Sequence, residues 1–351
     1  MFRFYFAKIH AICGLLVSLM LVLMALTGIF LVFRNEYIML SLGQGVFAPK
    51  DIQPLNGLMN ILPHLELGKI KSIMLPDNSL PLFKIIYGEN ILYYDLSGVL
   101  LDNQPISSRF DEIVFKLHHY LLLGEKGEVF IGITGLLLLF MTLSGLYLIL
   151  PVLKSFEFKF LPKTSKRRDI IAHHRNLGLI FAPMLVIIAI SGSAMIFSDS
   201  AKSILGAITF SKPLKLPKAK IEPSLITADT IKNAINLANH EFPNGEIRII
   251  SLPKKPDEPI NIRIRQNGEW HGNGRTFISF SPAKNQIIAI YEALKLDRAT
   301  TVYNGFYPLH SSRGIGLWYK IIVALTGMAL LMLGLFSAFS YGRKLIQTKK
   351  I

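Results

Sequence analysis

Four stretches of the chain are apolar for the length of a bilayer core, at residues 14–33, 129–150, 177–197 and 321–341. A helix needs about 20 apolar residues to cross the hydrocarbon, so each stretch predicts a transmembrane span. The polarity between them has shorter rhythms. Residues 54–63 read as a short helix, and 70–75, 81–87 and 91–94 alternate as strands, with a turn at Gly88-Glu89-Asn90. Residues 110–123 place Phe110, Ile113, Val114, Leu117 and Leu121 at helical spacing and break at Gly124 and Gly127. After the third span, Pro213, Pro217 and Pro223 mark a linker. A helix over 227–241 is predicted with Thr227 as its N-cap. Strands follow at 246–252, 260–266, 276–280 and 286–291.

The order span–domain–span therefore occurs twice, and two spans open on the same pattern. His10, Gly14, Leu15, Thr27 and Gly28 correspond at identical spacing to His174, Gly178, Leu179, Ser191 and Gly192. The other two spans correspond more loosely: His118 stands six residues before Gly124, and His310 six before Gly316. The expected fold is a membrane α-helical protein, a four-helix transmembrane bundle built as two span–domain–span repeats with two small α+β domains on one side. Its segments run 1–33 (lead and first span), 34–128 (first domain and interfacial helix), 129–150 (second span) and 151–176 (basic loop). They continue with 177–197 (third span), 198–316 (second domain), 317–341 (fourth span) and 342–351 (basic tail).

The net charge of +15 gives the bundle an orientation. Arg3 and Lys8 precede the first span, Lys154, Lys159, Lys163, Lys166, Arg167 and Arg168 fill the loop at 151–176, and Arg343, Lys344, Lys349 and Lys350 close the chain. Basic residues flanking spans mark the cytoplasmic side. The expectation is a multi-pass protein of a bacterial inner membrane, with both termini cytoplasmic and the two long segments periplasmic. Because so much of the positive charge lies beside the spans, it argues for membrane lipid as the partner and against nucleic acid. The first apolar run is too long for the core of a signal peptide and reads as a retained anchor. The single cysteine, Cys13, excludes cysteine-ligated zinc and iron–sulfur sites. No G-x-G-x-x-G follows a strand, so a nicotinamide or flavin domain is not expected.

Histidines then carry the candidate chemistry. His10 and His174 lie at the cytoplasmic level, and His118 and His310 at the outer level, one from each half at each level. Ionisable groups at membrane depth are costly and mark function, and imidazole is the commonest metal ligand. Two imidazoles on facing helices can clamp a haem as axial ligands. His173 and His119 are alternates, about 100° round the helix from their neighbours. The Ser/Thr-Gly steps at 27–28, 144–145, 191–192 and 326–327 read as close helix packing. Trp270 and Arg275 bracket a glycine-rich loop, which is either a hairpin turn or a substrate-facing loop that stacks on and attracts an acidic ligand. His64, His240 and His271 read as surface histidines of the soluble segments. The sequence leaves the catalytic residues unknown, and no metal is expected apart from haem iron.

Taken together, His10 to Gly14 with Thr27-Gly28, Leu117 to Gly124, Ser144 to Leu148, His174 to Leu179 with Ser191-Gly192, and Leu309-His310 resemble the PepSY-associated transmembrane helix family. This family of PiuB-like and FoxB-like iron-regulated membrane proteins includes inner-membrane ferric-siderophore reductases. The resemblance covers nearly the whole chain and makes the two outer segments PepSY-like. It implies b-type haem, two in all, on these histidines, with electrons passed outward; since no nicotinamide or flavin domain is expected, the donor is quinol or a separate flavin reductase. It also implies reduction of Fe(III) in a siderophore with release of iron in the periplasm. Span four departs, with Ser337-Ala338 where the family usually has Thr-Gly. The rival readings are a membrane-anchored PepSY-domain regulatory protein without a redox centre, and a transporter component.

Overall fold

The structure is a computed structural model describing residues 2–45, 54–156, 161–214 and 220–348. The sequence features at Lys159, Pro217, Lys349 and Lys350 lie outside these residues. The helices are α1 (Phe2–Val32), α2 (Arg34–Ser41), α3 (Pro54–Ile61), α4 (Phe110–Tyr120), α5 (Glu125–Ile149), α6 (Arg167–Ile196), α7 (Ser198–Thr209), α8 (Ala228–Glu241), α9 (Arg298–Ser311) and α10 (Leu317–Thr348). The strands are β1 (Ile70–Met74), β2 (Phe83–Tyr87), β3 (Asn90–Tyr94), β4 (Leu100–Pro105), β5 (Glu246–Ser251), β6 (Ile260–Arg265), β7 (Thr276–Ser281) and β8 (Gln286–Tyr291). The chain divides into two compact units. One comprises Met1–Val32, Val114–Ala201 and Leu309–Ile351; the other comprises Phe33–Ile113 and Lys202–Pro308.

The first unit is a bundle of four helices, each long and apolar enough to cross a membrane. Its helices pack in a closed cycle, α1 on α10, α10 on α6, α6 on α5 and α5 on α1, so α1 and α6 are diagonal. Val17, Leu21, Ala25, Leu138, Leu177, Leu185, Ala189, Ala329, Leu330 and Leu333 form its apolar centre. Leu16 and Leu19 point outward and are among the most exposed apolar side chains of the chain, as a lipid-facing surface requires. Two helices begin well before their apolar runs, α1 at Phe2 and α6 at Arg167. Nothing in the polar stretch 167–176 breaks a helix, so His10 and His174 sit inside continuous helices rather than at their mouths.

The second unit holds one antiparallel sheet of eight strands, ordered β4-β3-β2-β1-β5-β6-β7-β8. The two segments expected to form separate α+β domains instead share this sheet. β1 pairs with β5 through Ser72↔Ser251, Ile73↔Ile250 and Met74↔Ile249. Apart, each half would leave one of these two strands as an open, apolar edge, and pairing removes both edges. Alternation fixes the buried face: Ile260, Ile262 and Ile264 of β6 and Thr276, Ile278 and Phe280 of β7 all turn inward. There they meet Leu58 and Ile61 of α3 and Ile231, Ala234, Ile235 and Ala238 of α8. The Thr227 hydroxyl accepts from the Thr230 amide as expected of an N-cap, and the Thr230 side chain completes a capping box.

A lattice of buried charges joins α2, α4 and the sheet within this unit. Arg34 contacts Asp111 at 2.8 Å and Glu112 at 2.6 Å, Lys84 contacts Glu112 at 2.8 Å, and Arg109 bridges Asp111 and Asp102. Four elements have no counterpart in the sequence pattern: β4, α2, α7 and α9. β4 is an exposed edge with no inward face, so it shows no alternation. α9 contains Gly305 and Pro308, which argue against a helix.

Candidate cofactor site

The bundle brings four histidines into two facing pairs. His10 of α1 and His174 of α6, on diagonal helices, have ring centroids 6.4 Å apart. His118 near the end of α4 and His310 near the end of α9 have centroids 6.2 Å apart. Thr27 lies seventeen residues after His10 on α1 and touches His118, which puts about 25 Å of helix between the two levels. Each outer histidine ends a helix in the same way. After His118 the chain turns through left-handed Leu121 and Leu122 to Gly124 (φ 62°), which starts α5; after His310 it turns through Ser312 to Gly316 (φ 124°), which starts α10. These turns account for the six-residue spacing in both places.

Every one of the four Nδ1 atoms faces a hydroxyl from another helix. His10 meets Ser144 Oγ at 2.8 Å, His118 meets Thr27 Oγ1 at 2.8 Å, His174 meets Ser337 Oγ at 3.3 Å and His310 meets Ser191 Oγ at 3.4 Å. A hydroxyl has one hydrogen to give, and each of these gives it to its own helix. Ser144 donates to Met141 O, Thr27 to Leu23 O, Ser191 to Ile187 O and Ser337 to Leu333 O. The hydroxyls must then accept, and the imidazoles must donate through Nδ1–H. For His310 the Ile188 carbonyl, 3.2 Å from Nδ1 and able only to accept, requires the same tautomer. The lone pair of each ring is thereby placed on Nε2, the form in which imidazole ligates a metal.

The glycines of the Ser/Thr-Gly steps make room for these rings. A Cβ on Gly28 would stand 3.3 Å from His118 Cε1, one on Gly145 3.4 Å from His10 Cε1, and one on Gly192 2.8 Å from His310 Cε1. The step at Thr326-Gly327 does something else: a Cβ on Gly327 would meet Ile29 of α1 at 2.7 Å, which is helix packing. The hydroxyl opposite His174 comes from Ser337-Ala338 instead. The sequence held the signal for these partners in the repeated Ser/Thr-Gly spacing, but which helix each step would face was not readable from it.

A cavity of about 280 Å³ lies at the His10–His174 level and is lined by Gly14, Gly145, Gly178 and Gly334 along with both histidines. A Cβ built on Gly178 meets nothing within 4 Å, so that glycine leaves open space. His173 and His119 stand outside the pairs. His173 is buried edge-on against Phe336, and His119 stacks on Phe115 with Nδ1 3.8 Å from Glu128.

In the second unit Trp270 is exposed and Arg275 half-buried on the loop joining β6 to β7, a hairpin connection. His64 and His240 are on the surface as expected. His271 is not; it is buried and stacked on Tyr307 with centroids 4.6 Å apart, because the loop folds back over its own strand.

The geometry of the pairs limits what they can hold. Two imidazoles ligating one metal from opposite sides, each nitrogen about 2.0–2.1 Å from it, have ring centres about 6.3 Å apart. Both pairs match. Among the described residues no cluster of three or more His, Cys, Asp or Glu can hold a metal ion. An atom bound by such a pair must bring its remaining ligands with it.

Four long apolar helices define a helical membrane protein. The PepSY-associated TM region family matches residues 7–344, and the chain belongs to that family. A search of curated proteins finds none that matches.

Proposed function

We propose that this chain is a di-haem, b-type oxidoreductase of a bacterial inner membrane that passes electrons outward to a ferric chelate such as a ferric siderophore. In this reading the bundle is two span–domain–span repeats. α1, α5 and their hydroxyls correspond to α6, α10 and theirs, and the eight-stranded sheet is two PepSY-like halves joined at β1 and β5. The basic loop and tail face the cytoplasm, and the sheet lies in the periplasm. The observation that supports the proposal is the shared state of the four histidines, each with Nδ1 against a helix hydroxyl, which leaves Nε2 free of that bond, and with ring centroids 6.4 and 6.2 Å apart in two pairs.

Haem held there supplies one-electron chemistry within the low-dielectric core. The residues of the chain do the rest. His10 with His174, and His118 with His310, would hold the haem iron, while Ser144, Ser337, Thr27 and Ser191 fix each ring plane and its basicity. The apolar layer of Leu21, Ala25, Leu138, Leu185, Ala189 and Leu330 keeps water from the middle of the bundle. Reduction releases iron because hard chelate oxygens hold Fe(II) less well than Fe(III). With no dinucleotide-binding motif in the sequence, the donor in this reading is quinol or a separate flavin reductase.

The test is the absorption spectrum of the purified protein. Two haems per chain, with a sharp reduced-minus-oxidised band and capture of Fe(II) after a ferric siderophore is added to the reduced protein, are expected. A colourless protein that folds normally would sink the proposal and leave a membrane-anchored regulatory role.

A further inference from the structure

The loop between β6 and β7 gathers two arginines, Arg263 and Arg275, around a single buried carboxylate, Glu269, which leaves a net positive charge. Gly274 (φ +67°) lets the chain fold back so closely that a Cβ there would stand 2.0 Å from the Ile264 carbonyl. Buried Glu269 shapes the loop from inside. Its Oε1 accepts from the Gln266 amide and the Thr276 hydroxyl, both at 2.9 Å, and its Oε2 accepts from the Arg275 backbone amide. Its hydrogen bonds are therefore spent on the loop, and although its charge favours both guanidinium groups it forms no ion pair with either and can offset only one of the two.

Two such groups are half-buried here. Arg263 donates through Nε to the Gly274 carbonyl at 2.8 Å, and its Nη2 lies 3.3 and 3.4 Å from the two nitrogens of His271. His271 Nδ1 accepts from the Asn273 amide at 3.1 Å, and an imidazole carries no negative charge to offset a guanidinium. Arg275 keeps a buried Nε without an acceptor among the described residues. Neither arginine makes an ion pair among those residues. Burial and the nearby charge of Arg275 lower the Arg263 pKa to about 10, so the two cations are confined together. Tyr307 of α9 stacks on the His271 ring that Arg263 approaches, the phenols of Tyr303 and Tyr307 are both near enough to bear on the charge of Arg275, and Lys202 stands over the Tyr303 ring at 4.6 Å.

Confining like charges away from water is unfavourable unless an anion completes the site. A guanidinium fork matches a planar oxyanion in bidentate fashion. The tyrosine faces, with exposed Trp270 on the same loop, favour an organic carboxylate over a bare phosphate. We propose that Arg263 and Arg275, with Tyr303 and Tyr307, bind a polycarboxylate, either free or as its ferric chelate; the ferric form rests on the reductase reading above.

The chain has two tryptophans. Trp318→Phe in the full-length protein, reconstituted in lipid nanodiscs, leaves Trp270 as the reporter. Titration with citrate should give a saturable fluorescence change. Arg275→Gln should weaken it at least about tenfold and Arg275→Lys by less, since charge remains but the fork is lost. Thermal unfolding should stay unchanged in both. Arg263→Gln is the second variant and should weaken binding to a similar degree. Tighter binding of ferric citrate than of citrate would assign the chelate as ligand, and equal binding would assign the carboxylate alone. No saturable change, equal affinity in the two Gln variants and the parent, or phosphate binding as tightly as citrate would overturn the proposal. Citrate binding does not require haem. A colourless protein that binds citrate would remove the reductase reading and leave this site standing, whereas a haem protein that ignores citrate would do the reverse.

Discussion

Thr27 Oγ1 stands 2.8 Å from Nδ1 of His118 and has already given its hydrogen to the Leu23 carbonyl, also at 2.8 Å. The imidazole is thus the donor, and donation from Nδ1 raises the basicity of Nε2. Thr27→Val keeps the shape and removes the acceptor. It should weaken cofactor affinity at the His118–His310 level by about 10–100-fold and raise the midpoint potential there, whereas Thr27→Ser should restore both. Haem titration of the apo-protein with potentiometry decides the matter. Identical affinity and potential for Thr27→Val and the parent would mean that the hydroxyl is only a packing group.

Each pair draws one ligand from each half, so single substitutions should separate the levels. His174→Ala is expected to lower haem from two per chain to one and to spare the His118–His310 level, and His118→Ala to do the converse. His173→Ala and His119→Ala should keep both haems, since His173 packs on Phe336 and His119 on Phe115. Haem per polypeptide and reduced spectra are the readout. Two haems in both of the first variants would show that other residues ligate.

The spans and most strands were legible because bilayer length and period-2 alternation are long-range, redundant signals. His10 and His174 were legible as a pair because H-x3-G-L-x11-[S/T]-G is written twice, and the pairing of His118 with His310 rested on a six-residue spacing to glycine. The hydroxyl partners were not, since cross-helix contacts such as His10 to Ser144 depend on which helices become neighbours in the cycle. The single sheet was hidden for a related reason: β1 and β5 are far apart in sequence, and strand patterns carry no record of a distant partner. β4 escaped because an exposed edge strand has no buried face to alternate. His271 was misread as a surface histidine because its burial comes from a backbone turn that Gly274 permits.

Topology follows from charge. Reporter fusions after Lys163 should give a cytoplasmic signal, and fusions near Asp102 and Pro256 a periplasmic one, by the asymmetry of Lys and Arg in the short loops. A periplasmic signal at Lys163 would invert the bundle and with it the direction assigned to electron flow.

The buried charge lattice makes the sheet unit acid-sensitive. Burial works against ionisation of Glu112, but Lys84 and Arg34 outweigh it and hold the carboxyl below its ordinary range. A carboxyl depressed in the folded state adds stability above its unfolded pKa of about 4.3. That stability is lost as pH falls through the folded value. The sheet should therefore melt at a constant temperature from neutrality down to about pH 5 and lose stability in the more acidic range. Glu112→Gln should cost about 3–5 kcal/mol at neutral pH by leaving buried Lys84 without its carboxylate while Arg34 keeps only Asp111, and should flatten the acid limb. Circular dichroism of the sheet against temperature at several pH values measures both, and an unaltered acid limb in Glu112→Gln would assign the sensitivity elsewhere.

Two glycines should respond in opposite ways to added side chains. Gly192 backs His310 so closely that a Cβ would stand 2.8 Å from Cε1 and 3.2 Å from Nδ1. Gly192→Ala must push the ring, so both the His118–His310 haem and the stability of the bundle should fall. Gly178 lines the cavity at the other level, where a Cβ meets nothing within 4 Å. Gly178→Leu should leave the protein folded and raise apo-protein stability, because replacing glycine inside a helix gains about 1 kcal/mol and the side chain enters empty space. The same side chain would occupy volume that a planar cofactor between His10 and His174 requires. Gly178→Leu is thus expected to lose that haem while melting at or above the temperature of the haem-free parent. The measurement is haem per chain alongside the melting curve of the apo-protein. Full haem content in Gly178→Leu would mean that the cavity is not where the cofactor sits, and loss of fold would mean that the space is already occupied.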